Sequence, residues 1–203
     1  MAEAALLHLA SASPRRREIL VSLGIPHTWG GVDIDETPEQ GEPAHELALR
    51  LALAKAKACR ASRAGERVIL GADTVVALDG RVFGKARDED EAVAMLSQLS
   101  GRQHEVFTAV AVSTGDRELT RVSRSNVRLR RIEPDEAARY WRCGEPVGKA
   151  GAYAIQGIGG MFVEALSGSY SGVVGLPVFE TAALLGQAGI DPLRKTAARR
   201  GAA

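Results

Sequence analysis

The sequence has few cysteines, almost no net charge and no long apolar run, and each shortage excludes a class of protein. Its two cysteines, Cys59 and Cys143, cannot build a disulfide framework, and the absence of a Cys-x-x-Cys motif fits a reducing cytosol. The net charge of +1 is far below that of a dedicated DNA-binding domain. No apolar run approaches the roughly 18 residues of a membrane helix. We therefore expect a cytoplasmic protein that binds neither nucleic acid nor a membrane.

The composition is that of an ordinary globular protein. Hydrophobic residues make up 45% and charged residues 25% of the 203 residues, which is enough for one well-packed core. We expect a single domain over residues 1–193 and a disordered basic tail over 194–203. Helical and strand-like patterns alternate, with an antiparallel stretch in the middle, which predicts an α/β fold with a mixed sheet.

Local patterns predict the elements. Helices are expected at 14–23, 43–64, 88–99, 134–143 and 177–186, and strands at 6–10, 68–78, 82–83, 104–113, 119–132 and 161–166. Residues 147–160 are expected to be irregular and 168–175 to be a loop, and the polar segment 28–35 is expected to end in a loop. The strand at 68–78 is expected to be broken by Gly71, Ala72 and Asp73.

The stretch LASASPRRREIL, residues 9–20, places hydroxyl groups and arginines where a strand leads into a helix. Ser13 is the expected N-cap and Pro14 the first helical residue. The free N–H groups and dipole of a helix start attract anions, and Ser11, Arg15 and Arg16 add donors and charge. This favours a phosphate site, although three arginines alone are as typical of a solvated surface.

Two further groups of residues carry possible chemistry. Asp73 interrupts a hydrophobic strand, where a carboxylate is costly unless it is paired, used or caps a loop. The acidic patch of Asp33, Asp35 and Glu36 offers the oxygen ligands that suit Mg²⁺, and is equally typical of a solvated loop.

The glycine-rich stretch KAGAYAIQGIGG, residues 149–160, permits close approach to a ligand. Its Gln156 has both the donor and the acceptor that reading the edge of a base requires. On spacing alone, a structural glycine loop is as good an interpretation.

Together the stretch at 9–20, Gly-Ala-Asp-Thr-Val-Val at 71–76 and residues 148–177 closely resemble the Maf family of nucleoside triphosphate pyrophosphatases. The resemblance extends to about Pro192. It implies a two-lobed α/β fold with a central cleft, similar to inosine triphosphate pyrophosphatase. It also implies hydrolysis of a nucleoside triphosphate to the monophosphate and pyrophosphate, a divalent cation (Mg²⁺ or Mn²⁺) and a homodimer.

The same motifs look like the subgroup that acts on dTTP and UTP, and the resemblance assigns roles to individual residues. Asp73 matches the catalytic base, and Arg15, Thr74 and Gln156 match the residues that set substrate choice. Ser11, Arg16, Lys55 and Lys85 are expected to bind phosphate, and Glu36 and Asp73 to hold the metal ion.

Three alternatives remain open at this point. The same chemistry could act on another base, such as a modified purine. The fold could serve a regulator of septum formation and cell division. Arg15 to Arg17 with the basic run 128–131 could instead bind nucleic acid, in which case affinity would fall steeply with salt.

Overall fold

The computed structural model describes residues 7–62 and 68–193. The strands are Leu7–Ala10 (β1), His27–Gly30 (β2), Val68–Leu78 (β3), Arg81–Phe83 (β4), Gln103–Ser113 (β5), Glu118–Leu129 (β6) and Val163–Ser167 (β7). The helices are Pro14–Ser22 (α1), Ala44–Ser62 (α2), Glu89–Leu99 (α3), Pro134–Arg142 (α4), Tyr170–Val174 (α5) and Val178–Gln187 (α6). The tail that was expected to be disordered lies outside the described residues.

The strands form one mixed sheet in the order β2-β1-β3-β5-β6-β7, with β4 paired to β3. Strands β2, β1 and β3 run parallel, and β3, β5, β6 and β7 pair antiparallel. This confirms the predicted α/β fold with a mixed sheet and flanking helices. None of the described helices has the length and apolarity that a membrane span requires.

Alternating residues of β3 face different helices, as the two-residue period of a strand requires. Ile69, Val75 and Ala77 pack with α2 in one apolar cluster. Leu70 and Ala72 pack on the other side of the sheet with β1, α1 and α6. A third cluster joins the end of β3 to β4, α3 and α4.

Two predictions of local structure are wrong, and one strand was not predicted. Strand β3 is continuous, because Gly71, Ala72 and Asp73 pair in register with Ala111, Val110 and Ala109 of β5. The strand that was not predicted is His27–Gly30, which pairs in parallel with β1. The expected loop at 168–175 contains α5, whose N-cap Ser169 accepts a hydrogen bond from the Gly172 N–H.

The edge of β3 opposite β5 is only partly covered. Strand β1 pairs with Val68–Leu70, and β4 pairs with Val76–Leu78. No strand in the described ranges pairs with residues 71–75 on this edge. Asp73 and Thr74 lie in this gap, at the carboxyl end of β1.

Candidate active site

A cavity of about 690 Å³ opens at the gap beside β3. Its walls come from the start of α1, from α2, from the segment after β4 and from the glycine-rich stretch at 147–156. All nine predicted site residues line it: Ser11, Arg15, Arg16, Glu36, Lys55, Asp73, Thr74, Lys85 and Gln156. The structure therefore brings together residues that are up to 145 positions apart in the chain (from 11 to 156).

A chain of ion pairs crosses the cavity on the α2 side of the sheet. Lys55 lies with its Nζ 2.6 Å from Asp73 Oδ1 and 2.6 Å from Glu36 Oε1. Lys85 donates to the other oxygen, Glu36 Oε2, at 3.1 Å. Lys55 and Asp73 are both buried, so these charges stabilise one another in a region that water hardly reaches. The contact between Lys55 and Asp73 depends on close packing of α2 on β3.

These cations keep Glu36 ionised. Partial burial acts to raise the pKa of Glu36, but the hydrogen bonds and charges of Lys55 and Lys85 outweigh it and hold the pKa below its ordinary value. Glu36 thus remains an anion that can accept a cation, either a lysine ammonium or a metal ion.

Thr74 faces the other side of the sheet and meets Arg16. The Arg16 Nη2 donates to Thr74 Oγ1 at 3.3 Å, its Nη1 to Ser11 Oγ at 3.1 Å and its Nε to the Gly175 carbonyl at 2.8 Å. Burial lowers the pKa of Arg16, while the charges of Asp73 and Glu36 act to raise it. An arginine keeps its charge under all such conditions, so a fixed guanidinium lies on the cavity wall.

The helix start is built as predicted. Ser13 is the N-cap of α1 and Pro14 its first residue, and the Ser13 N–H donates to Ser11 Oγ at 3.2 Å. The Arg15 Nε donates to the Val174 carbonyl at 3.2 Å, so Arg15 is held at the cavity and does not extend into solvent. Burial lowers its pKa as well. Two guanidinium groups and a helix N-terminus therefore share one wall, which suits a polyphosphate.

Two cavity residues, Lys149 and Tyr153, were assigned no role from the sequence, and neither was Thr108, which contacts the wall residue Thr74 without lining the cavity. Thr108 of β5 donates to the Gly172 carbonyl at 2.7 Å and lies 3.1 Å from Thr74 Oγ1. Lys149 lines the cavity, and burial and the nearby Arg15 lower its pKa. Tyr153 is buried against the wall. As a cation beside the glycine-rich stretch, Lys149 could have been singled out, whereas only strand register reveals Thr108.

The acidic patch is divided by the structure. Glu36 faces the cavity, but Asp35 is exposed and accepts a hydrogen bond from the Thr37 N–H at 2.9 Å, and Asp33 is exposed too. Across residues 7–62 and 68–193, no three His, Cys, Asp or Glu side chains converge as a metal cage would need. Two carboxylates, Glu36 and Asp73, remain. That donor set fits Mg²⁺, which is commonly held by one or two carboxylates together with substrate phosphates.

Comparison with known proteins agrees with this geometry. The family model described as "Maf-like protein" matches residues 6–188. A dTTP/UTP pyrophosphatase of Myxococcus xanthus is 52% identical, covering 93% of this chain and 95% of that protein. Those of Saccharophagus degradans and Aromatoleum aromaticum are 49% and 48% identical, over 88% and 89% of this chain and 87% and 94% of theirs.

A solved structure of the Staphylococcus aureus Ham1 protein is more distant. It is 18% identical over 63% of this chain and 72% of its own, with a TM-score of 0.41. The family model spans nearly the whole described chain, and the relatives are similar almost from end to end. The chain belongs to the Maf family.

Proposed function

We propose that this protein hydrolyses dTTP and UTP to the monophosphate and pyrophosphate. The observation that carries the proposal is the meeting of a buried carboxylate, Asp73, with four cations in one cavity: Arg15, Arg16, Lys55 and Lys85. A nucleoside triphosphate has the negative charge that such a wall attracts. The names of the relatives at 48–52% identity supply the choice of dTTP and UTP.

In the proposed reaction, a water molecule attacks the α-phosphorus. Its oxygen forms a bond to that phosphorus as the bond to the oxygen bridging to the β-phosphorus breaks, and pyrophosphate leaves. Asp73 accepts the proton of the water. Because its Oδ1 is engaged by Lys55, the acceptor is Oδ2. Ser11, Arg16, Lys55 and Lys85 hold the phosphates, since positioning and charge stabilisation dominate catalysis of this kind.

A divalent cation, Mg²⁺ or Mn²⁺, is part of the proposal. Glu36 and Asp73 would hold it, completed by substrate phosphates. Bound there, it would lower the pKa of a water molecule and neutralise phosphate charge. Lys55 lies between the two carboxylates, so it keeps them close together before substrate arrives.

Arg15, Thr74 and Gln156 are proposed to set the choice of base. They line one cavity, with Thr74 on β3 and Gln156 exposed on the glycine-rich wall. A site that hydrogen-bonds its substrate discriminates strongly against analogues that leave its polar groups unpaired.

The decisive experiment is a panel of nucleoside triphosphates, including modified purines, assayed with and without Mg²⁺. We expect dTTP and UTP to give the highest kcat/KM, with one pyrophosphate and no orthophosphate released per turnover. Preference for a modified purine would support the alternative substrate class. Release of orthophosphate would contradict attack at the α-phosphorus.

We also propose that the protein is a homodimer in the cytoplasm. Phe179 at the start of α6 is 78% exposed, and Tyr170 and Val21 are more than half exposed. Exposed apolar side chains mark an interface where they form a contiguous patch, and the proposed dimer requires these three to form one. Sedimentation equilibrium of the protein and of a Phe179→Ser variant would test it, and a wild-type monomer would contradict it.

A further inference from the structure

The segment that carries Gln156 is held by side chains from a different part of the chain. The Tyr140 hydroxyl, from α4, accepts a hydrogen bond from the Ala154 N–H at 3.1 Å. Glu145, just after α4, accepts from the Ile158 N–H at 2.8 Å and from the Gly159 N–H at 2.8 Å. These bonds fix the backbone two residues on either side of Gln156.

The two anchoring side chains also hold each other. The Tyr140 hydroxyl donates to Glu145 Oε1 at 2.6 Å, and the Tyr140 ring packs edge-on against Phe162, with ring centroids 5.0 Å apart. Tyr140 is buried, and Glu145 is partly buried. The Glu145 carboxylate therefore accepts hydrogen bonds from the Tyr140 hydroxyl and from the N–H groups of Ile158 and Gly159 at the same time.

The glycines of this segment are explained by the same contacts. A Cβ on Gly157 would overlap the Glu145 carboxylate, lying 2.6 Å from its Cδ. A Cβ on Gly159 would overlap the Tyr140 hydroxyl and lie 2.8 Å from the Ala154 carbonyl oxygen. The φ of Gly157, −121°, lies outside the left-handed region, so the obstacle to a side chain there is the Glu145 carboxylate, which would have to move.

We propose that Glu145 and Tyr140 are positioning residues that set substrate choice by fixing the backbone that carries Gln156. The inference rests on the proposed function, because it assumes that Gln156 reads the base. Neither Glu145 nor Tyr140 lines the cavity. They act through the backbone, and loss of either frees Gln156 to adopt positions that no longer distinguish one base edge from another.

The test compares kcat/KM for UTP with kcat/KM for CTP, whose bases differ in the polar edge that an amide would read. Glu145→Gln keeps the shape but turns an NH₂ group toward backbone N–H donors. Tyr140→Phe removes only the hydroxyl. We expect each variant to lower the UTP/CTP ratio by about tenfold, which is the scale of one hydrogen bond to a substrate.

A ratio of two substrates separates positioning from stability. A variant that merely unfolds in part lowers both rates equally and leaves the ratio unchanged. Glu136→Gln is the matched control on α4: it weakens the pair with Arg130, at 2.6 Å, and the described hydrogen bonds and ion pairs of Glu136 do not involve residues 153–159. This control should keep the wild-type ratio. Amide hydrogen exchange of residues 153–160 should quicken in Glu145→Gln but not in the control.

Gly157→Ala supplies an independent arm. The added methyl group should displace the Glu145 carboxylate and lower the UTP/CTP ratio. A Glu145→Ala variant, which removes that carboxylate, should lower the ratio to the same extent. Because both changes break the same contact, the double variant should be no worse than either single variant. Additive losses would contradict the proposal.

The outcomes separate the two levels of inference. A wild-type enzyme without preference for UTP over CTP would overturn the proposed function and this inference with it. A wild-type enzyme with that preference, whose Glu145→Gln and Tyr140→Phe variants keep the ratio, would overturn this inference alone.

Discussion

Asp73 and Thr74 are neighbours in the chain but point to opposite faces of the sheet. Asp73 pairs with Lys55 on the side of α2, and Thr74 meets Arg16 and Thr108 on the side of α1 and α5. Because β3 lacks a partner strand at this point, both side chains reach the same cavity. Asp73, the proposed proton acceptor, and Thr74, which is proposed to recognise the nucleobase, are thus adjacent residues. Substituting each one alone should distinguish their effects.

Asp73→Asn is expected to lower kcat by at least about 100-fold while nucleotide binding survives, since a general base contributes a factor of this order or more. The amide keeps the shape but cannot take up a proton. Folding should be preserved because Lys55 keeps its second partner, Glu36, at 2.6 Å. Single-turnover kinetics measures the first effect, and calorimetry with a non-hydrolysable dTTP analogue measures the second.

The matched control for this variant is Asp79→Asn. Asp79 directly follows the same strand, is exposed and has a φ of 51°, a conformation that asparagine tolerates well. It should turn over at the wild-type rate. An Asp73→Asn enzyme with full activity would exclude Asp73 as the base.

At the scale of residues, polar side chains in unexpected positions made part of the site predictable from the sequence. A carboxylate within an apolar strand and a Ser-Pro-Arg-Arg helix start mark themselves in the sequence, and both line the cavity. The Maf resemblance supplied Lys55 and Lys85, and it selected Glu36 from the acidic patch. Thr108 and Glu145 could not be predicted, because their importance arises only from contacts with residues 64 and 14 positions away.

At the scale of elements, the site depends on how closely α2 approaches β3. Gly71 permits this approach: a Cβ there would overlap the Ala52 carbonyl and lie 2.9 Å from the Ala56 nitrogen. The sequence analysis took Gly71 as a strand breaker. Glycine is required there because α2 lies so close, and a local sequence pattern does not contain that distance. The hairpin from Leu78 to Arg81, by contrast, was predictable from Asp79-Gly80 alone.

Gly71→Ala is therefore expected to damage both stability and activity. The methyl group must push α2 away from β3, which costs about 1–3 kcal/mol in free energy of unfolding. The same shift separates Lys55 from Asp73. Thermal unfolding and kcat/KM for dTTP should fall together.

Gly186→Ala provides the comparison in another helix. Gly186 lies in α6 with nothing within 4 Å of its added Cβ, so alanine should leave the Tm unchanged or raise it slightly. A Gly71→Ala protein as stable and active as the wild type would show that the helix can move without cost.

At the scale of the whole molecule, the basic run 128–131 is paired with carboxylates within the fold. Arg128, Arg130 and Arg131 pair with Glu164, Glu136 and Glu133 at 2.9, 2.6 and 2.8 Å. Arg17 lies over the Trp29 ring, 4.7 Å from its centroid. This arrangement leaves little uncompensated charge for a polynucleotide, so the absence of nucleic-acid binding stays our prediction. The neutral net charge was readable from composition, but the pairing required the folded chain.

The free energy of unfolding of the whole molecule should depend on pH through the buried His104. His104 is 1% exposed and shares a 2.8 Å hydrogen bond between its Nε2 and the Tyr153 hydroxyl. Its Nδ1 has no hydrogen-bond partner among the described residues. Burial lowers the pKa of His104 to about 4, from 6.5 in an unfolded chain. The folded protein therefore holds this ring neutral where the unfolded chain would protonate it.

Stability should consequently fall as the pH drops from about 6.5 to about 4, because only the unfolded state takes up this proton in that window, and it should gain nothing further above about 6.5. The full effect corresponds to roughly 3 kcal/mol. Urea unfolding of the wild type and His104→Gln at about pH 7.5 and about pH 4.5 would measure it, with a smaller acid loss expected in the variant. His45→Gln, which removes an exposed histidine, should lose as much stability between the two pH values as the wild type does. If His104→Gln lost as much stability on acidification as the wild type, His104 would not be the group that stays neutral in the fold.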